Sequence, residues 1–121
     1  MDIPNITLRT EETEKIYQQF LQVEENRKHC PFCNLDLLVT NNLKYPGWAI
    51  IENRFPYDKV FQTHHMLCTL EHTSELTKQR KKEFEDLLLY LEPNYDMYIY
   101  NTREKQTIPR HFHIHLVNFY K

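Results

Sequence analysis

A chain of 121 residues is long enough to close one hydrophobic core and too short for two, so a single domain is expected. A formal charge of −2 with 26% charged residues provides no basic field for a nucleic-acid backbone, and the lone glycine, Gly47, excludes both a P-loop and a Gly-rich dinucleotide turn. With no apolar run of roughly 18 residues and an acidic stretch from Met1 to Glu12, the sequence predicts a cytoplasmic protein without a membrane span.

Residues 1–9 carry Pro4 and no periodicity, and read as a loose lead-in. Thr10 followed by Glu11 and Glu12 is a helix start, with a hydroxyl to cap and carboxylates at the positive end of the dipole. Ile16, Tyr17, Phe20, Leu21 and Val23 recur at helical spacing, which predicts an N-terminal helix over 10–27 covering one edge of the core. Cys30-Pro31-Phe32-Cys33 follows. A CxxC turn holds two thiolates close enough for one Zn²⁺, and serves equally as a redox pair or as two unpaired thiols. Cys68, alone in an apolar run, makes the cysteine count odd and argues against a disulfide framework.

Leu35 to Thr40 and Trp48 to Glu52 read as strands, separated by the turn formers Asn41-Asn42 and Pro46-Gly47. Trp48-Ala49-Ile50-Ile51 is apolar throughout, as a buried central strand is. Pro56 makes Asn53 to Asp58 a loop beside the sheet. His64 to Leu70 is again extended, and His72-Thr73-Ser74-Glu75 ends it and opens a helix capped by Ser74 or Thr73. Phe84, Leu87, Leu88 and Leu91 give that helix one packing face, with Lys78 to Lys82 on its solvated side. Pro93-Asn94 stops it, and Tyr95 to Tyr100 alternates as a strand does. These elements predict an α+β domain on a mostly antiparallel sheet of about five strands, with an N-terminal helix and one long central helix.

The strongest pattern is Arg110-His111-Phe112-His113-Ile114-His115-Leu116-Val117, where histidine alternates with large apolar residues. In a strand, Phe112, Ile114 and Leu116 face a core while His111, His113 and His115 share the other face, each roughly 6 to 7 Å from the next. A neutral imidazole can attack an electrophilic phosphorus near pH 7 without prior deprotonation.

This stretch resembles the motif of the histidine triad (HIT) nucleotide hydrolases and transferases, His-φ-His-φ-His-φ-φ with φ apolar, at every position from His111 to Val117. The resemblance spans roughly Cys30 to Val117 and implies a HIT-like fold, with residues 1–121 as one domain. In the zinc-bearing branch of that superfamily, which includes the galactose-1-phosphate uridylyltransferases, a CxxC, a His ending a middle strand and the first His of the triad hold a structural zinc. Those positions correspond here to Cys30, Cys33, His72 and His111.

The same resemblance makes His113 the nucleophile, displacing the group on a nucleotide's α-phosphate to give a nucleotidyl-histidine that water or another acceptor then resolves. His115 would contact the phosphate and the leaving oxygen. Thr63-His64-His65-Met66-Leu67-Cys68 with His72 resembles the strand that carries a fourth active-site histidine, a role that falls on His64, with the adjacent His65 as the alternative register. Asn53-Arg54-Phe55-Pro56 resembles the Asn-Arg-x-Pro segment whose first residue contacts ribose, although the gap to His64 is longer. Asn101 corresponds to a phosphate-holding Asn. Gln106 and Thr107 resemble the phosphate segment Gly-Gln-[Ser/Thr]-Val, with Lys105 in place of its Gly and one extra residue, in Pro109-Arg110, before His111; Arg110 could supply charge instead.

The expected function is that of a nucleotide hydrolase or nucleotidyl transferase acting on a dinucleoside polyphosphate, a nucleoside phosphoramidate or a nucleotide sugar. The rivals are a non-catalytic nucleotide-binding module, suggested by the missing glycine, and an aprataxin-like deadenylase of DNA ends, which the net charge argues against. Many relatives pair as dimers, so a homodimer stays open.

Overall fold

The structure, a computed structural model, describes residues 7–33, 35–100 and 111–121. Among the described residues, β1 (Leu38–Thr40), β2 (Trp48–Glu52), β3 (Phe61–Thr69), β4 (Met97–Ile99) and β5 (His113–Phe119) form one antiparallel sheet in the order β1-β2-β3-β5-β4. The fold is therefore α+β, with its two longest strands, β3 and β5, side by side at the centre. The apolar run at Trp48 forms a strand with the expected bounds. β1 is shorter than expected, because the chain first turns with Leu38 N–H donating to the Leu35 carbonyl at 3.1 Å. β3 begins earlier than expected, at Phe61, which pairs across to Phe119.

α3 (Lys78–Leu91) starts later than the sequence suggests. Its cap is Thr77, whose hydroxyl accepts from Arg80 N–H at 3.1 Å. Thr73 is engaged elsewhere, its carbonyl accepting from Phe112 N–H at 2.6 Å, which ties the segment after β3 to the approach to β5. Gly47, at φ +93, makes the turn into β2 beneath the Arg80 guanidinium, where a Cβ would lie 2.3 Å from a guanidinium nitrogen.

Each face of the sheet is covered by different material. On one, Trp48, Ile50, Leu67, Ile114 and Leu116 pack with Leu87 and Leu91 of α3, and Phe84, Leu88 and Phe112 flank them. On the other, Ala49, Ile51, Met66 and Cys68 pack under Phe32 of the CxxC turn.

The N-terminal helix departs from expectation in two ways. It is two pieces, α1 (Glu11–Gln22) and α2 (Glu24–Lys28), interrupted where Val23 is extended. It also buries no residue and does not sit on a sheet edge: Tyr17 and Phe20 rest on Phe55, with ring centroids 5.1 and 4.9 Å apart. The described end of the lead-in is anchored rather than loose, since Arg9 Nε–H donates to the Phe55 carbonyl at 2.7 Å. No helix among the described residues is long and apolar enough to cross a membrane.

Candidate functional site

Antiparallel pairing puts directly opposite residues on the same face, so Met66↔His115, Cys68↔His113 and His64↔Val117 gather His64, His113 and His115 on the face away from α3. His65 points the other way, beside Leu116 and Glu52, and its Nδ1 lies 2.7 Å from the Tyr95 hydroxyl. Of the doubled histidines, His64 is thus the one that joins the triad.

The proton positions follow from the partners. His113 Nδ1 lies 2.8 Å from the His111 carbonyl, which only accepts, so Nδ1 carries the hydrogen and Nε2 holds the lone pair. Tyr57 N–H donates to His64 Nδ1 at 3.0 Å, so His64 is protonated at Nε2 and donates to His115 Nδ1 at 2.6 Å. His115 then carries its own hydrogen on Nε2. His113 thus carries its lone pair on Nε2 and His115 its hydrogen on Nε2, with ring centroids 5.5 Å apart. Phe32 stacks on His113 at 4.4 Å and Tyr57 on His115 at 5.3 Å.

Burial is what keeps these rings neutral. It pushes His64 down to about 3, helped by the His115, Arg9 and His65 charges, and His115 down to about 3, helped by His113 and Arg9. Burial also lowers His113. Near pH 7 all three are neutral bases, so a lone pair and a hydrogen-bond donor coexist without competition from imidazolium.

Asn53 borders this group. Its Oδ1 accepts from Phe55 N–H at 2.8 Å, which leaves its amide nitrogen to donate to Met66 Sδ at 3.7 Å, with His64 Nε2, itself a donor, 3.4 Å away. Asn101, Gln106, Thr107 and Arg110 lie outside the described residues.

Cys30, Cys33, His72 and His111 converge at the end of β3, their ligand atoms all within 4.8 Å of one another. Cys30 Sγ is 3.3 Å from His111 Nδ1, and Cys33 Sγ is 3.2 Å from His72 Nδ1 and 3.7 Å from His111 Nδ1. Four ligands at tetrahedral corners around zinc, with bonds of about 2.3 Å to sulfur and 2.0–2.1 Å to nitrogen, stand roughly 3.3 to 3.8 Å apart. The three Cys–His separations lie near those edges, while the four ligand atoms as a group span up to 4.8 Å. His111 Nε2 also sits 2.6 Å from the Thr69 carbonyl, which holds the hydrogen on Nε2 and leaves Nδ1 bare for a metal. The group could therefore hold a metal ion. Cys68 is no part of it: burial pushes its thiol up to about 12.

Four residues of this site carry no signal in the sequence. Phe32, an interchangeable position of the CxxC turn, provides the surface under His113; Tyr57 sets the His64 tautomer; Thr69 sets that of His111 through its carbonyl; and Arg9 stacks on Tyr57, 5.0 Å from its ring centroid. A backbone donor or a ring's neighbour is defined only by long-range pairing. Compared with protein-family models, curated proteins and solved structures, the chain matches none.

Proposed function

We propose that this chain is a HIT-type nucleotide hydrolase or nucleotidyl transferase with a HIT-like fold, in which His113 attacks the α-phosphorus of a nucleotide conjugate. The observation that carries the reading is the pair of opposite tautomers on one sheet face, a lone pair on His113 Nε2 beside an N–H on His115 Nε2. A nucleophile and a donor for the departing oxygen are what in-line substitution at phosphorus requires.

In the first step His113 Nε2 forms a bond to phosphorus while the bond to the leaving group breaks, the leaving group taking the electron pair. His115 Nε2–H hydrogen-bonds the leaving atom. His113 becomes a cationic nucleotidyl-imidazole, and its Nδ1–H, aimed at the His111 carbonyl, steadies that charge. In the second step water, or another hydroxyl acceptor, bonds to phosphorus, the N–P bond returns its pair to Nε2, and the acceptor's proton passes to bulk water. Asn53 borders the nucleoside end, and Asn101, Gln106 and Thr107 are the phosphate contacts the resemblance assigns.

Cys30, Cys33, His72 and His111 are the ligands we assign to zinc, which when bound supplies a structural tie rather than a reactive centre. Its place next to His113 makes the carbonyl of His111 a fixed point. The described cysteines are unpaired thiols, which suits a reducing compartment, and on that ground we place the protein in the cytoplasm.

The test is to incubate the protein with AMP and UMP conjugates, quench early and weigh the intact chain. Added mass of one nucleotidyl group, absent in His113→Asn, is the expected outcome. Binding with neither adduct nor product across the panel would retire the enzymatic reading in favour of a nucleotide-binding module.

A further inference from the structure

The segment that leads into α1 is fastened not to the sheet but to the loop that carries Tyr57. Thr10 N–H donates to Asp58 Oδ1 at 2.9 Å, and the Thr10 and Thr13 hydroxyls reach Oδ2 at 3.2 and 2.5 Å. Burial works against the Asp58 charge, yet these Thr13 and Thr10 bonds hold its carboxyl below the usual value. Lys59 N–H donates to the Leu8 carbonyl at 3.1 Å, and the Tyr120 hydroxyl donates to the Asp58 carbonyl. The loop is pinned at Asp58 from three directions.

Arg9 acts one turn further in, on both sides of Pro56. Its Nε–H donates to the Phe55 carbonyl at 2.7 Å, and its guanidinium lies 4.1 Å from the Tyr17 ring centroid and 5.0 Å from that of Tyr57. Glu14 Oε2 stands 3.4 Å from Nη1 and orients the plane. The Tyr57 ring in turn lies 4.4 Å from His64 and 5.3 Å from His115. A continuous stack runs from Tyr17 through Arg9 and Tyr57 to the two imidazoles, and the Tyr57 amide at its centre decides where the His64 proton sits.

We propose that Arg9 is a positioning residue for the His64–His115 pair: by clamping the Phe55–Tyr57 loop it keeps Tyr57 N–H on His64 Nδ1, and so keeps His115 protonated at Nε2. Arg9 touches neither imidazole in a hydrogen bond and acts through Tyr57. A planar fork suits the task, because it donates to Phe55 and stacks between two rings at once, which a lysine cannot do. The catalytic consequence rests on the proposed nucleotidyl chemistry; the proton placement does not.

The experiment labels the histidines of the full chain with ¹⁵N and reads each ring's tautomer by long-range ¹H–¹⁵N correlation at pH 7. In the wild type His64 and His115 give single Nε2–H signals. In Arg9→Met, and to a smaller degree in Arg9→Lys, both change to mixtures of the two tautomers, while His111 and His113, held by the Thr69 and His111 carbonyls, keep theirs and report an intact fold. Unchanged His64 and His115 tautomers in either folded variant would overturn the proposal. With a conjugate the wild type turns over, Arg9→Met lowers kcat on the order of 10- to 100-fold with a smaller change in KM. Scrambled tautomers with undiminished kcat would leave the positioning role standing and instead refute His115 as the donor to the leaving atom.

Discussion

The two faces of the central strands are built from alternate residues of the same sequence, yet they are closed by different means. One is a conventional core, Ile114, Leu116, Leu67 and Trp48 sealed by α3. The other carries His64, His113 and His115, also buried, beneath a CxxC turn and a loop rather than a second helical layer. The difference teaches how a small domain can desolvate three imidazoles: it covers them with pieces that are fixed by specific contacts, and reserves bulk apolar packing for the far side. Stability on the helix side should follow apolar area, and on the histidine side should follow metal binding and proton placement.

The largest expected effect is chemical. His113→Asn should lower turnover by about three orders of magnitude or more, which is about 4 kcal/mol in barrier, while its melting temperature stays close to the wild type. Equal turnover in the two proteins would show that the histidine face is not a catalytic device. Cys33→Ser should lose about one metal ion per chain by elemental analysis and several kcal/mol of stability, because binding energy at such a site is folding energy. An unchanged melting curve in a metal-free protein would erase the contrast between the faces.

On the helix side, Leu87→Ala should cost about 2 to 5 kcal/mol in denaturant unfolding, since Leu87 is fully buried, with metal content and adduct formation retained by the folded protein. Loss of metal in that variant would mean the faces are coupled more tightly than their separate coverings suggest.

Acid should separate them further. His64 and His115 titrate near 6.5 when unfolded and at about 3 when folded, so the unfolded chain binds more protons between those values. The stability they contribute is fully present above pH 6.5 and is lost as pH falls toward 3. Melting temperature should therefore drop between pH 7 and 4, and His64→Asn should show a shallower drop, the difference isolating this pair from any loss of metal. The smallest effect belongs to the other half of the doublet: His65→Gln should cost at most about 1 kcal/mol, the worth of its Tyr95 hydrogen bond, and leave turnover as it was.

Much of this was legible in the residues. Alternation at His111 to Val117 and the apolar run at Trp48 placed the central strands, and helical spacing from Phe84 to Leu91 placed α3, because these patterns are local and their periods differ. The residues suggested as metal ligands, drawn from three distant segments, are the ones that converge. Caps were harder: Thr73, Ser74 and Thr77 are equally able to cap, but the Thr73 hydroxyl closes a local turn with Glu75 at 3.0 and 3.3 Å while the helix starts only at Lys78. The register between His64 and His65 depends on which strand pairs with β3, so it required β5 to be in place. α1 illustrates a different limit, since an amphipathic stripe says that a helix packs and not on what. Arg9, Tyr57 and Asp58 look like any residues of a lead-in and a loop until tertiary structure brings them together.

The ligand cluster has one more consequence, for the order in which the chain can acquire its shape. Cys30 and His111 are separated by 81 positions and Cys33 and His72 by 39, so a metal held by all four would close two long loops at a single point. His111 stands immediately ahead of β5, the strand that slots between β3 and β4. Before that strand docks, the first three ligands offer an open and weaker site; afterwards the fourth arrives together with His113 and His115 of the same stretch. Tight metal uptake would then mark the moment of final assembly, and a zinc-responsive probe followed during refolding would time the docking of the last strand.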